Sequence, residues 1–259
     1  MIWAPRNPVP ERSISASILA LAAVAVFAGG FTQSVSGFGF GLVIMSVLPF
    51  AIGVPGSVAV VATLGFTVNV LVLSRVWRDL RWRGVVPLLI GGALGVPLGV
   101  WVLVSVDRGT VMGVLGGVLV VYSLWQLSPW RAAPRSLSVL WGLPAGFISG
   151  LFSGAFSTAG PPLVLYTTLT TWTKDTIKAA LQVFFIGTGV VQVTLYALEG
   201  VLTVETLWLD LAGLPALGLG VFLGARVSDR IDQVAFRRLI LVMLLVIGVI
   251  YLVRVTGGS

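Results

Sequence analysis

Residues 13–74 of this chain, which decide its fold, read SISASILALAAVAVFAGGFTQSVSGFGFGLVIMSVLPFAIGVPGSVAVVATLGFTVNVLVLS. They contain no Asp, Glu, Lys or Arg. A charged side chain at the centre of a bilayer costs roughly 2.5–3.5 kcal/mol, so segments that cross lipid exclude charge. A spanning helix needs about 20 predominantly apolar residues. This stretch therefore has room for more than one membrane-embedded segment.

The rest of the chain segregates its charges in the same way. The 16 Lys and Arg and the 9 Asp and Glu residues fall at the termini or in short gaps between uncharged segments. Those further segments are residues 84–106, 109–130, 136–173, 179–198, 211–225 and 239–253. With 57% hydrophobic residues and a mean hydropathy of +1.05, the composition predicts an all-α integral protein of the cell (inner) membrane. Its length allows about eight to ten helical segments.

The chain contains no Cys and no His. Disulfides, thiolate or imidazole metal sites and Cys or Ser–His nucleophile pairs are therefore excluded. A membrane-embedded enzyme lacks the side chains for acid–base work, so we expect no catalytic residue, no metal and no cofactor. The net charge of +7 is typical of basic cytoplasmic loops rather than of nucleic-acid binding. The expected partners are a small substrate and the lipid bilayer, and a homodimer stays open.

Two halves of the chain resemble one another. Residues 29–38 (GGFTQSVSGF) align with residues 146–155 (GFISGLFSGA), and residues 95–99 (GVPLG) align with residues 220–224 (GVFLG). Because the spacing is kept over more than a hundred residues, we interpret the pattern as a duplication. The predicted units are an N-terminal tail (1–13), a first transmembrane repeat (14–130) and a second transmembrane repeat (131–259).

Equivalent loops of the two copies carry opposite charge. One gap holds Arg75, Arg78, Arg81 and Arg83 in the first copy, but Glu199 and Glu205 in the second. The next gap holds Arg108 in the first copy, but Arg226, Arg230, Arg237 and Arg238 in the second. Basic loops stay in the cytoplasm, so equivalent loops lie on opposite sides of the membrane. The sequence thus predicts two inverted repeats.

The positions of the basic gaps also predict broken helices. With Arg131, Arg135, Lys174 and Lys178 all inside, residues 136–173 begin and end on the cytoplasmic side. Their helical parts, 137–152 and 162–173, span roughly 24 Å and 18 Å, less than a hydrocarbon core of about 30 Å. We therefore expect a re-entrant hairpin broken at 153–161, and by the repeat a mirror hairpin over 14–52 broken at 29–41.

Each repeat then consists of a broken or re-entrant helix hairpin followed by three transmembrane helices, with both termini outside. Arg6 and Arg12 precede the first apolar segment. They favour the alternative, which is a first helix that spans the membrane from a cytoplasmic N-terminus.

The two breaks are the candidate substrate site. Irregular backbone at membrane depth is tolerated where it lines a cavity or is buried in protein. A half-helix that starts there directs free N–H groups and its positive dipole end at the membrane centre, and Ser or Thr hydroxyls add donors. Amides inside apolar runs need a partner, which is either substrate or a neighbouring helix. The candidate residues are Gln33, Ser36, Gly37, Phe38, Gly39, Asn69, Ser153, Gly154, Ser157, Thr158, Gly160, Gln182 and Gln192.

The glycines of these breaks have a second interpretation, which is close packing of helices. If they instead admit an anion to the backbone, Gly39→Val and Gly154→Val abolish transport and leave membrane insertion intact.

The segment 29–41, its echo at 146–162 and the two-repeat layout resemble the TauE/SafE family of sulfite exporters and toluene-sulfonate uptake permeases. The resemblance covers essentially the whole chain and implies a carrier of small sulfur-containing or organic anions, such as sulfite or a sulfonate. This chain has Ser157-Thr158-Ala159 where the second motif of the family is often richer in glycine.

The resulting hypothesis is a secondary transporter that exports a small anion. Asp210, near the end of a predicted helix, is expected at the membrane interface and not as a proton carrier. Without a buried carboxylate or a histidine, export would be driven by the membrane potential, about 2.3 kcal/mol per charge per 100 mV. The alternatives are an anion-selective channel and a permease that takes up organic anions with H⁺ or Na⁺.

Overall fold

A computed structural model describes residues 16–128, 138–228 and 233–257, and this part of the chain is helical. The α-helices are α1 (Ala16–Ser36), α2 (Phe40–Val47), α3 (Pro49–Val76), α4 (Trp82–Ser105), α5 (Arg108–Leu127), α6 (Gly142–Phe156), α7 (Gly160–Thr168), α8 (Lys174–Leu198), α9 (Val204–Val227) and α10 (Gln233–Gly257). The N-terminal tail, the boundary between the predicted repeats with Arg131 and Arg135, and Arg230 lie outside the described residues.

Seven of the described helical segments are long and apolar enough to cross a membrane. Large apolar side chains are also exposed along these helices, among them Leu94 (66%), Leu198 (77%) and Val121 (67%). Soluble proteins rarely expose continuous apolar surface of this extent, whereas a lipid-facing helix requires it. The predicted multi-pass membrane protein is confirmed.

Each half starts with a broken helix and continues with three long helices. The first break consists of residues 37–39 between α1 and α2, and the second of residues 157–159 between α6 and α7. Both are shorter than predicted, because α1 continues through Gly29 and Gly30 and α6 continues to Phe156. These helical glycines admit close neighbours: a Cβ on Gly29 would lie 2.9 Å from the ring of Phe40. The breaks predicted at 29–41 and 153–161 were thus too wide.

Helix α1, the first part of the first broken helix, is longer than predicted and long enough to cross the membrane. At 1.5 Å per residue, the 21 residues of α1 span about 32 Å, which matches the hydrocarbon core of about 30 Å. The 15 residues of α6 span about 22 Å. A first helix that crosses the membrane by itself is therefore compatible with its length.

Helix pairing relates the two halves. The most extensive contacts join α4 to α6, α1 to α9, α5 to α10 and α3 to α8. Helices α1–α5 of the first half correspond in order to α6–α10 of the second. If each helix is replaced by its counterpart, the α1–α9 pair becomes the α6–α4 pair, and the α5–α10 and α3–α8 pairs stay the same. The core between these pairs contains fully buried side chains of both halves, including Ile44, Leu64 and Tyr196.

The α4–α6 contact is made by glycine faces with a spacing of four residues. The α4 face consists of Gly91, Gly95 and Gly99, which contact main-chain atoms of α6. The α6 face includes Gly146 and Gly150, which contact main-chain atoms of α4. At each of these glycines an added Cβ would collide with a carbonyl oxygen of the other helix. Small residues that let backbones approach are the usual means of packing membrane helices, and this contact holds the broken helix α6 against α4.

Candidate functional site

The two breaks meet in the structure. A Cβ on Gly41, in the first turn of α2, would collide with the carbonyl oxygen of Ser157 in the second break. Phe38 of the first break has its ring 3.5 Å from the Cβ position of Gly160, where α7 begins. Segments 120 residues apart in sequence thus form one local structure.

A cavity of about 60 Å³ lies between these segments. One water molecule needs about 10–15 Å³ by this measure, so the space suits a few waters or one small ion. No side chain that lines it is ionisable. The lining residues are Gln33, Gly39, Phe40, Gly41, Leu42, Val61, Ala62, Gly65, Phe66, Asn69, Ser153, Ser157, Thr158, Ala159, Gly160, Phe185, Gly189 and Gln192.

A hydrogen-bond network around Gln33 fixes the first break. The N–H of Phe40 donates to Gln33 Oε1 at 3.1 Å. Gln33 Nε2 therefore faces the other way and donates to Asn69 Oδ1 at 2.7 Å and to Gln182 Oε1 at 3.1 Å. Gln182 Nε2 in turn donates to the carbonyl of Gly37 at 2.6 Å. Since a backbone N–H can only donate, this chain of bonds determines the orientation of all three amides.

The orientation of the Asn69 amide has a chemical consequence. Its oxygen is occupied by Gln33, so its nitrogen, with two N–H donors, is left for the cavity that Asn69 lines. Among the described residues no acceptor binds this nitrogen. Asn69 is buried as a residue, with 7% of its surface exposed, but its nitrogen is not one of the fully enclosed polar atoms that lack a partner. The Asn69 nitrogen is thus a hydrogen-bond donor accessible from the cavity.

A second network fixes the second break. Tyr196 Oη donates to the carbonyl of Gly154 at 2.6 Å and accepts from Gln192 Nε2 at 3.0 Å. Gln192 Nε2 also donates to Ser157 Oγ at 2.6 Å, while its Oε1 accepts from Ser153 Oγ at 2.9 Å. Every polar atom of Gln192 is therefore used inside the protein. This amide holds the break and has no donor left for a ligand.

Ser157 ends α6 in an unusual conformation. Its φ is +51°, and it is the single non-glycine residue with positive φ in the described chain. At the end of α1, Gly37 has φ +83° and makes the equivalent main-chain bond, to Gln33 O, that Ser157 makes to Ser153 O. Serine is disfavoured in this region, but its hydroxyl donates to the carbonyl of Val58 at 3.0 Å. The side-chain bonds offset the backbone strain that glycine would avoid.

Thr158 supplies a second unsatisfied donor. Its side chain is buried and lines the cavity, and its hydroxyl has no hydrogen-bond partner. The first turn of α2 adds the N–H groups of Gly41 and Leu42, which have no acceptor within a helix at such positions. The start of α7 offers fewer donors, because Pro161 and Pro162 have no N–H. The donors of the cavity come mainly from α2, α3 and the second break.

The structure gathers eight of the predicted site residues around this cavity. They are Gln33, Gly39, Asn69, Ser153, Ser157, Thr158, Gly160 and Gln192. They come from both halves of the chain, as the duplication predicts for a site between repeats.

The other five predicted residues lie beside the cavity and have structural contacts there. Ser36 donates to Thr32 O and lies 2.5 Å from the carbonyl of Phe38. Gly37 accepts from Gln182 and packs against the Lys178 methylenes. Phe38 packs with the apolar cluster around α7. Gly154 faces the main chain of α4 at Val96.

Two polar residues have contacts that were not predicted from the sequence. Tyr196 lies four residues after Gln192, one helical turn away, and helical periodicity alone could have placed both on the same face. Asp210 was expected at the membrane interface; it lies nearly two turns inside the helix that begins at Val204. Only 7% of it is exposed and it binds Thr63 of α3, a contact that was not predicted. Its depth in the membrane stays a prediction.

Comparison with known proteins matches residues 21–251 to the family model described as sulfite exporter TauE/SafE. The chain is 28% identical over 227 residues to a probable sulfite/organosulfonate exporter TauE of Cupriavidus necator, covering 85% of this chain and 88% of that protein. It is 27% identical over 180 residues to a probable inner membrane transporter protein TsaS of Comamonas testosteroni, covering 66% of this chain and 72% of that one. No solved structure matches the chain.

Proposed function

The chain belongs to the sulfite exporter TauE/SafE family, and on that premise we propose that it exports a small sulfur-containing anion, such as sulfite or a sulfonate, that binds in the cavity between the two breaks. It is a multi-pass membrane protein of the inner membrane and a member of a transporter family. The proposal adds the substrate, the direction and the site.

One observation carries the proposal: the residues that line the cavity include hydrogen-bond donors without an acceptor and no ionisable side chain. Among the described residues, no acceptor binds the Asn69 amide nitrogen, which is accessible, or the Thr158 hydroxyl, whose oxygen is enclosed beside the cavity. Oxyanions present several acceptor oxygens at once, and hydrogen bonds to a charged acceptor are stronger than neutral ones. Neutral donors also release an anion more easily than a fixed cation would, which suits a carrier that must let its substrate go.

The Thr158 hydroxyl provides the sharpest test of this site. We expect Thr158→Val to weaken sulfite or sulfonate binding about 10- to 100-fold, since a hydrogen bond to a charged group contributes about 1.5–3 kcal/mol. Because the hydroxyl has no hydrogen-bond partner among the described residues, the variant should unfold at the same temperature as the wild type or slightly higher. Binding across a panel of sulfite, sulfonates, sulfate and carboxylates, with thermal unfolding of the same samples, measures both effects.

Ser149→Ala is the matched control. Ser149 is also buried with an unpartnered hydroxyl, but it lies in α6 outside the cavity. It should leave anion binding unchanged. Equal effects of the two substitutions, or normal binding by Thr158→Val, would place the anion elsewhere.

Carrier and channel are separated by flux. A secondary transporter shows saturable transport and counterflow when unlabelled anion is present on the far side of the membrane, and a channel shows neither. The paired breaks favour the carrier, because each half contributes one break to the same cavity and alternating access moves one repeat relative to the other.

The proposed orientation is two inverted repeats, supported by the charge of the loops; the exchange of the α1–α9 and α6–α4 pairs supports the duplication itself. The chain has no cysteine, so single cysteines report topology directly. Arg83 and Glu205 are both exposed at the starts of the equivalent helices α4 and α9.

We expect an impermeant thiol reagent outside intact cells to label Glu205→Cys and to spare Arg83→Cys. After permeabilisation both should react, which controls for accessibility. Labelling of both from the outside would contradict the inverted arrangement without affecting the anion site.

A further inference from the structure

Asp210 is a buried carboxyl group that the anion site does not use. It lies on the face of α9 that packs against α3, with 7% of its surface exposed. Its Oδ2 is 2.5 Å from the hydroxyl oxygen of Thr63, and its Oδ1 has no hydrogen-bond partner. An ionised carboxylate has about four acceptor sites to satisfy, and here it has one neighbour.

The surroundings of Thr63 indicate which group carries the hydrogen. The Thr63 hydroxyl has one proton and lies 2.9 Å from the carbonyl of Ala59 and 3.2 Å from that of Val60. Carbonyls only accept, and Thr hydroxyls inside helices commonly donate to the carbonyl four residues earlier. If the proton points there, the short contact to Asp210 requires that the carboxyl group donates.

Among the described residues, no charged group of the helices packed against α9 compensates an ionised Asp210. Helix α1 contains no ionisable residue, and α3 contains Arg75, twelve residues beyond Thr63 and thus about 18 Å along the helix. On α9 itself, Glu205 is exposed near the helix start, and the Arg226 guanidinium lies over the ring of Phe222. A buried ionised group without a partner is strongly unfavourable.

From this geometry we infer that Asp210 binds a proton, as the neutral carboxylic acid, and that this proton favours binding of the anion on the other side of α3. The inference rests on the proposed function. Helix α3 connects the two sites, since Ala62 lines the cavity and the next residue, Thr63, contacts Asp210. Loss of the proton places a negative charge behind the wall of the anion cavity. By linkage, proton and anion each raise the affinity for the other.

The site suits a proton better than a metal cation. Two carboxyl oxygens and one hydroxyl, on two helices, are too few oxygen ligands for an alkali or alkaline-earth ion. A proton that binds together with the anion also makes transport less electrogenic than uncoupled export. The absence of a buried carboxylate was the reason to expect uncoupled export, and that reason no longer holds.

The first test needs no ligand. Infrared difference spectra of the purified protein in lipid nanodiscs should show the carbonyl stretch of a protonated carboxyl group. The band should be lost in Asp210→Asn and kept in Glu205→Gln, a matched change of an exposed acid on the same helix. A band that is absent at all pH values, or that survives in Asp210→Asn, overturns the inference.

The second test measures coupling with methanesulfonate, which stays ionised from mildly acidic to alkaline pH. Wild-type affinity should fall by up to about tenfold per pH unit once the band disappears, and Asp210→Asn should bind with a pH-independent affinity. If the wild-type affinity for methanesulfonate does not depend on pH, or depends on the Na⁺ concentration instead, the proposed coupling is overturned. If methanesulfonate and sulfite fail to bind at any pH, the proposed function is contradicted, and the infrared band still decides whether Asp210 holds a proton.

Discussion

Gly154→Val should prevent the protein from assembling, and not merely block transport. A Cβ at Gly154 would collide with the carbonyl oxygen of Val96 and would lie 2.7 Å from the N–H nitrogen of Val100. These are main-chain atoms of α4, which cannot rotate away as a side chain does. The helices would have to separate, and the neighbouring glycine contacts at Gly95 and Gly150 would be lost with them. We expect destabilisation on the order of 4 kcal/mol or more, the range of exceptional single substitutions.

Yield of monodisperse protein in mild detergent and its thermal unfolding measure this effect. Gly218→Val is the matched control, since Gly218 lies in the long helix α9 with nothing within 4 Å of its Cβ position, and it should behave as the wild type. If Gly154→Val were monodisperse, melted normally and failed to bind the anion, Gly154 would belong to the substrate site and not to the α4 contact.

Gly39 shows why glycine patterns are ambiguous in sequence. It lines the cavity, has φ +110°, and its Cβ position is 2.9 Å from the methyl group of Thr32. Gly154, a few residues from the equivalent break, has a helical conformation and faces another helix. Both are glycines in similar motifs. The sequence contains no feature that separates a glycine needed for ligand approach from one needed for helix packing.

The location of the breaks could be predicted because it follows from local physics. The helical parts of the second hairpin were predicted to be too short to span a membrane, with Gly and Pro between them, and the repeat extended this prediction to the first half. Both breaks were found inside the expected ranges. Their widths could not be predicted. Gly29 and Gly30 lie inside α1 and pack against Phe40 and Leu217, so these glycines do not end the helix. Leu217 is nearly two hundred residues away, and local propensity contains no information about it.

The polar networks could also be predicted only in part. The sequence identified Gln33, Gln182 and Gln192, because amides in apolar segments need partners. Which amide pairs with which could not be predicted, because the contact between Gln33 and Gln182 joins residues 149 apart. Gln192, predicted to bind substrate, spends both N–H groups on Ser157 and Tyr196. The donor left for a ligand becomes visible only after every other bond has been assigned.

Asn69→Asp should produce the largest loss of anion binding of any change that preserves the fold. One carboxylate oxygen still accepts from Gln33, so the network around the first break keeps its connections. The other oxygen replaces the nitrogen whose donors face the cavity. Binding loses a charge-assisted hydrogen bond of about 1.5–3 kcal/mol. At an alkaline pH, at which the introduced carboxyl group is ionised, it also gains repulsion of about 4 kcal/mol between charges about 4 Å apart at an effective dielectric constant of about 20. The affinity should then fall on the order of ten-thousandfold or more.

Asn69→Leu separates the two contributions, because it removes the donors without adding charge. It should weaken binding about 10- to 100-fold, the value of the hydrogen bond alone, and it leaves one N–H of Gln33 unpaired. Isothermal titration with sulfite or a sulfonate, beside thermal unfolding, measures both variants. If the affinity decreases from the wild type to Asn69→Leu and further to Asn69→Asp, the ligand is an anion whose oxygens bind the Asn69 nitrogen. The reverse order, with Asp binding more tightly than the wild type, would identify a cation as the substrate and exclude the sulfur anion from this cavity.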